Sequence, residues 1–209
     1  QGCIERHGKR PIEYLEDLGF FDYGGGGFHC NYFTDEEIEI FKKHNLNVVS
    51  CPASNLKLAS GIAPLVRYQK EGLNVALGTD GAASNNSLDM FREMYLTSML
   101  GKVREMDPLA VPASEVLKMA TVNGSKTLEH ADTDVLAAGK LADIIMLNLK
   151  DPAMQPILNI SNNIVYSGGK NIVKMTMIDG KILYKDGQFI GIDTDEIYSK
   201  SEAIMERLK

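Results

Sequence analysis

Two β-branched runs, "LNVVSCP" at 46–52 and "LNVALGTD" at 73–80, are separated by a single helical stretch, and this spacing constrains the fold more than any other feature. Neighbouring strands that run in the same direction need a crossover of a dozen or more residues, usually a helix, whereas antiparallel ones join through tight turns. Between the two runs, "IAPLVRYQKEG" reads as a helix stopped by Gly72. The same alternation extends in both directions. Upstream, Pro11 opens and Gly19 closes the short amphipathic segment "PIEYLEDLG". "GGGGF" then leads to His29, and Thr34 with Glu37 forms a T-x-x-E capping box that launches "DEEIEIFKKHN". Downstream, "SLDMFREMYLTSML" places Leu88, Phe91, Met94 or Tyr95, and Ser98 or Met99 on one helical face. "PASEVLKMATVNGSKTL" begins another helix at Pro112. Strands alternating with helices through short connectors predict a parallel sheet covered by helices, as in a barrel or an open α/β sheet.

Near Gly139 the pattern changes. "KLADIIMLNL", "NIVYSG" and "IVKMTMIDGKILYKDGQFI" are short β runs, with Asp179-Gly180 and Asp186-Gly187 as tight-turn signals. Asp193 and Glu196 make a second capping box ahead of the amphipathic "EIYSKSEAIMERL". The expected division is therefore residues 1–138 as an α/β unit and 139–209 as a small β subdomain with a terminal helix. The longest apolar runs are too short to cross a bilayer, which predicts a soluble protein without a membrane partner. A net charge of −6 argues against nucleic acid, because phosphate contacts need clustered Lys and Arg and Lys42-Lys43 is an isolated pair. Three widely spaced cysteines, Cys3, Cys30 and Cys51, fit a reducing cytoplasm better than a disulfide scaffold or a zinc ribbon. The chain opens on a polar, helix-like stretch without methionine or a signal peptide, so it is expected to be a piece of something longer.

Chemistry is expected where the parallel strands end. Were the strands at 46–51 and 73–80 neighbours in a barrel, their C-terminal ends would share one mouth, with His29 there too. Asp80 leaves a buried strand into the small, polar "GAASNN". It either caps the amides of that turn or works with His29, a pairing suited to ligating a divalent metal or taking a proton from its water. His29 has its own plain reading as an ordinary hydrogen-bonded histidine. His7, His44 and His130 lie in polar segments near helix ends and read as surface residues outside the site. The glycine run at 24–27 lacks the order of a phosphate loop and reads as a turn or a close backbone approach.

Taken together, "CPASNLKLASGIAPL", "NVALGTDGAASNNSLDMFREM", "MATVNGSKTL" and "GKLADIIMLNL" closely resemble the amidohydrolase superfamily, in its branch of 5-methylthioadenosine/S-adenosylhomocysteine deaminases. The resemblance runs over essentially the whole chain and covers only the C-terminal half or so of such an enzyme. It implies the C-terminal part of a metal-dependent (β/α)8 barrel with a small β-sandwich subdomain. It also implies an aminohydrolase acting on a C–N bond of a purine-like small molecule, with zinc, or alternatively iron, as the divalent metal. Asp80 matches the aspartate that ligates the metal and relays the proton of the attacking water. His29 matches the histidine that polarises or orients that hydroxide near the substrate, and Ser84 a position close to bound substrate. The family's HxH pair, further histidine ligand and acid/base glutamate would lie upstream of Gln1, which leaves the metal site incomplete here. Ser50 and Cys51 stand where the family commonly carries histidine, and the glycine run replaces a more apolar strand. Two rival readings accompany this one. The same fold could act as a triazine chlorohydrolase or a guanine deaminase, or the chain could be a non-catalytic folded fragment. Open sheet edges in a partial barrel predict self-association, so a homo-oligomer is expected.

Overall fold

The computed structural model describes residues 1–208. Two short helices, α1 (Gly2–His7) and α2 (Pro11–Asp17), precede a parallel sheet. Strand β1 (Gly26–Phe28) is followed by α3 (Asp35–Lys43), β2 (Asn47–Ser50), α4 (Pro52–Lys57), α5 (Leu65–Lys70) and β3 (Asn74–Leu77). The strands lie in the order β1-β2-β3 and all run the same way, with Phe28 opposite Val49 and Ser50 opposite Leu77. Beyond them come α6 (Ala82–Asn85), α7 (Met90–Glu105), α8 (Ala113–Ala120) and α9 (Val122–Thr127). The predicted crossovers are thus present, and the capping box of Thr34 and Glu37 opens α3 as its sequence requires.

Glycines in the run at 24–27 serve both purposes read from the sequence. Gly25 turns the chain at a φ of +121°, while a Cβ on Gly27 would lie 2.8 Å from the Cys30 sulfur and 3.1 Å from the Phe41 ring. The helix after Phe28 is therefore packed directly onto the strand backbone.

Several helix boundaries differ from expectation, each for a local reason. Pro52 halts β2 and also occupies the first turn of α4, where its missing N–H costs nothing. The segment from Ile62 becomes helical only at Leu65, after Pro64. Helix α7 begins at Met90 because Asp89 accepts from the amides of Phe91 and Arg92, leaving Leu88 outside it and exposed. Its inner face carries Phe91, Glu93, Met94, Thr97, Ser98 and Gly101, with Tyr95 44% exposed. The stretch after Pro112 breaks into α8 and α9 at Thr121, whose φ of −128° and ψ of −90° are not helical. There the Asn123 side chain donates to the Val75 carbonyl, and Asn74 of β3 donates back to the Asn123 carbonyl.

The last third adds β4 (Ile144–Leu147), α10 (Ile160–Asn162), β5 (Val173–Ile178), β6 (Lys181–Lys185), β7 (Gln188–Phe189) and α11 (Thr194–Leu208). Its strands form one antiparallel sheet in the order β4-β5-β6-β7. "NIVYSG" was expected as a β run but is helical over Asn163–Ser167. Asn159 caps the preceding turn and Val165 is fully buried, so tertiary packing overrides β propensity. Met154, Val165 and Ile172, all 0% exposed, join the core formed by Phe41, Val48, Tyr68, Val116 and Met119. In contrast, α11 has no buried residue.

Candidate active site

The ends of the parallel strands converge on one mouth because the register aligns them. Beyond β1, the His29 amide still donates to the Val49 carbonyl, and beyond β3 the Gly78 amide donates to the Ser50 carbonyl. Both chains then bend sharply. His29, Cys30 and Asp80 adopt left-handed conformations at φ +66°, +50° and +62°. Such geometry carries strain for residues other than glycine and persists where surrounding bonds over-determine it.

The result brings His29 and Asp80 together, with His29 Nε2 3.8 Å from Asp80 Oδ2 and both side chains about one-third exposed. Asp80 Oδ1 accepts from the Gly81 amide at 2.7 Å, and Oδ2 accepts from the Ser54 hydroxyl at 2.6 Å. One oxygen thus caps the next residue, as the first reading of Asp80 has it, while the other lies toward His29. The Ser54 hydroxyl, then Ser84 and the Gly81 amide, hold its pKa down to about 2. It is an anion across any physiological pH. Ser84 sits on α6 four residues on, with its hydroxyl 3.0 Å from the Gly81 carbonyl.

The loop after β2 organises both members of the pair. Ser54 and Asn55 are adjacent on α4 and buried, at 0% and 2% exposure. Ser54 holds Asp80, and the Asn55 Oδ1 lies 2.8 Å from His29 Nδ1. A buried carboxylate braces this arrangement from behind. Glu93 Oε2 accepts from the Ala53 amide at 3.0 Å, and Oε1 accepts from Asn85 Nδ2 at 2.7 Å. Asn85 Nδ2 also donates to the Thr79 carbonyl, one residue before Asp80. Burial raises the Glu93 pKa, opposed by those same two hydrogen bonds.

Sequence reasoning named His29, Asp80 and Ser84; the structure sets His29 and Asp80 3.8 Å apart and Ser84 close enough to Asp80 to help hold its charge. It missed Ser54, Asn55, Asn31, Asn85 and Glu93. The one available signal was a charged residue, Glu93, between the apolar positions Phe91 and Met94 of a buried helix face. Of the histidines set aside, His7 stacks on Tyr14 with ring centroids 4.1 Å apart. His44 is not simply at the surface: its side chain is 14% exposed and its Nε2 lies 2.7 Å from Glu16.

As for a metal, no group of three or more His, Cys, Asp or Glu side chains among the described residues is placed to hold one. Asp80 offers an anionic oxygen and His29 a ring nitrogen, which fits part of a site that normally takes three or more protein ligands. The nearby thiols add none in their protonated form. Burial pushes Cys51 up to about 11, helped by the charges of Asp80 and Glu93, and pushes Cys30 up to about 12.

Known proteins share this arrangement of elements. The 5'-deoxyadenosine deaminase of Methanosarcina mazei is 41% identical over 204 residues, 98% of this chain and 47% of that protein. The 5-methylthioadenosine/S-adenosylhomocysteine deaminase of Nitratidesulfovibrio vulgaris is 44% identical, over 93% of this chain and 44% of its own length. A crystal structure of an adenosine deaminase from Xanthomonas campestris with bound zinc superposes with a TM-score of 0.93 at 33% identity, covering 99% of this chain and 47% of that one. The chain thus spans about half the length of the relatives it matches. Residues 2–183 match the model of the amidohydrolase family, and the chain belongs to that family.

Proposed function

We propose that this chain is the C-terminal part of a metal-dependent aminohydrolase that removes an exocyclic amine from an adenosine-type nucleoside. The observation that carries the reading is the convergence of His29 and Asp80, 3.8 Å apart, at the common end of parallel strands. The relatives' names supply the substrate class, since they are 5'-deoxyadenosine and methylthioadenosine/S-adenosylhomocysteine deaminases. In this reading residues 1–138 are the last strands and helices of a (β/α)8 barrel. Residues 139–209 contribute one layer of a small β-sandwich and the terminal helix.

Asp80 would hold a divalent metal, with His29 beside it facing the metal's water, and zinc is the ion bound in the Xanthomonas relative. Such a metal supplies the acidity that makes water a nucleophile near neutral pH. Asp80, ionised and fixed by Ser54 and Gly81, would be the group that accepts a proton from the attacking water and returns it toward the leaving amine. His29 would orient that water through Nε2. Ser84, on the same turn, is assigned a place beside the substrate. Ammonia leaves and a hydroxyl replaces the amine. The remaining ligands and the acid/base glutamate belong to sequence outside this chain. A cytoplasmic location and self-association through uncovered sheet edges complete the proposal.

Elemental analysis and a deaminase assay test it together. The 209-residue chain alone is expected to bind far less than one metal per chain and to show no turnover on 5'-deoxyadenosine or methylthioadenosine. A longer protein carrying these residues is expected to hold about one metal and release ammonia. Turnover by the chain alone, or a longer protein that binds metal yet deaminates neither nucleoside, would overturn it.

A further inference from the structure

We infer that Asn31 and Asn55 form a buried relay that fixes the tautomer of His29, keeping the proton on Nδ1 and the lone pair of Nε2 facing the mouth. The Ser60 carbonyl can only accept, and Asn31 Nδ2 lies 2.9 Å from it. Asn31 must therefore turn its amide nitrogen toward Ser60 and its oxygen the other way. That oxygen lies 3.1 Å from Asn55 Nδ2, so Asn55 in turn directs its own oxygen at His29 Nδ1, 2.8 Å away. An acceptor there requires Nδ1 to carry hydrogen.

Flipping either amide fails. It would set two oxygens or two NH2 groups face to face at sites only 9% exposed for Asn31 and 2% for Asn55. Unpaired polar groups that deeply buried are costly, so the chain of donors and acceptors has one self-consistent direction. The consequence lies at the other ring nitrogen. With Nδ1 protonated, Nε2 of the neutral ring is bare, and the 3.8 Å to Asp80 Oδ2 exceeds a direct hydrogen bond. His29 then meets water or substrate as an acceptor, whereas the opposite tautomer could only donate. Asn31 and Asn55 are positioning residues, because neither reaches the reacting atoms. This inference rests on the reading of His29 as a residue of the site.

Histidine-selective 15N labelling of the chain tests it directly. His29→Gln assigns the His29 signals among the four histidines, and the spectra are read at alkaline pH. The Nδ1–H form is expected to outnumber the Nε2–H form by about tenfold or more. Asn55→Leu is expected to abolish that preference. Asn55→Asp is expected to retain it, because a carboxylate oxygen still accepts from Nδ1–H. A parent chain dominated by Nε2–H overturns the inference. So does an unchanged preference in Asn55→Leu with the backbone amide spectrum intact. Should the leucine variant fail to fold, the parent and Asn55→Asp spectra decide. The readout needs neither metal nor substrate, so a failed deaminase assay leaves the relay standing, and an Nε2–H result leaves the deaminase reading intact with a different role for His29.

Discussion

Left-handed backbone occurs in both halves of the molecule, and it is held there by opposite means. In the antiparallel sheet it falls at Asp179-Gly180 and Asp186-Gly187, at φ of 47° and 73° and of 49° and 90°. These two-residue connections join Ile178 to Lys181 and Lys185 to Gln188, where the strand twist favours such turns and glycine adopts them without penalty. At the mouth of the parallel sheet, the same region holds His29, Cys30 and Asp80. No two-residue hairpin turn places them there. They are held by bonds from elsewhere in the chain, chiefly Ser54 and Asn55 of α4, with Glu93 bracing α4 and the loop before Asp80. Strain at the turns is avoided by residue choice, whereas strain at the mouth is borne by tertiary structure and sits where chemistry is proposed.

The largest expected effect is on catalysis. In a longer protein carrying these residues, Asp80→Asn is expected to lower kcat/KM about 10³-fold, since it removes the proton acceptor while keeping the shape. Thermal unfolding monitored alongside should show a folded protein. Activity within tenfold of the parent would mean that the mouth's strained aspartate is only a cap, and the contrast between the two regions would lose its functional side.

Next comes the brace. Glu93→Leu leaves the Ala53 amide and the Asn85 side chain without their acceptor in a buried place, at a cost of about 3 kcal/mol in denaturant unfolding. Glu93→Gln, which keeps one accepting oxygen, should cost about 1 kcal/mol. The two carboxylates also predict opposite pH signatures. Asp80 has a folded pKa of about 2, so its stabilising contribution is complete above its ordinary value of 3.8 and disappears as the pH falls toward 2. Glu93 is shifted upward, so the folded state favours its protonated form, and stability falls as the pH rises past its ordinary value of 4.5. Asp80→Asn should flatten the acid limb of the stability profile, and Glu93→Gln the limb above 4.5. An unchanged profile in both variants would show that neither group is held as described.

This contrast also explains what could be read from the sequence. The Asp-Gly turns, the capping box of Thr34 and Glu37, and the strands at 47–50 and 74–77 are encoded by adjacent residues, and their sequence readings needed nothing distant. His29 and Asp80 were legible as candidates because each follows a strand. Asn31, Ser54, Asn55 and Glu93 were not, because their roles depend on partners 24 to 40 residues away. "NIVYSG" was misread for the same reason: Val165 belongs to a helical turn because the core has a place for it there.

In the other region the expected effects are smaller. Gly187→Ala places a Cβ at a φ of +90° with nothing within 4 Å of it, so only backbone strain resists it. The expected cost is about 1 kcal/mol in denaturant unfolding, with the mouth undisturbed. A loss of more than about 3 kcal/mol would show that this hairpin is coupled to the core as tightly as the loops of the mouth.

The smallest effect is expected at the terminal helix, and it is the one that depends most on what surrounds the chain. Ile197 is 48% exposed and Tyr198 62%, next to Ile192 at 48% and Phe189 at 53%. In the isolated chain Ile197→Lys should change stability by no more than about 0.5 kcal/mol, because the side chain is half exposed and the lysine stem keeps much of its contact. The same substitution in a longer protein distinguishes two cases. An equally small change there would mean that this apolar strip stays in water. A loss of about 2 kcal/mol would mean that it is covered, and dependence of that loss on protein concentration would place a second copy over it rather than another part of the same chain.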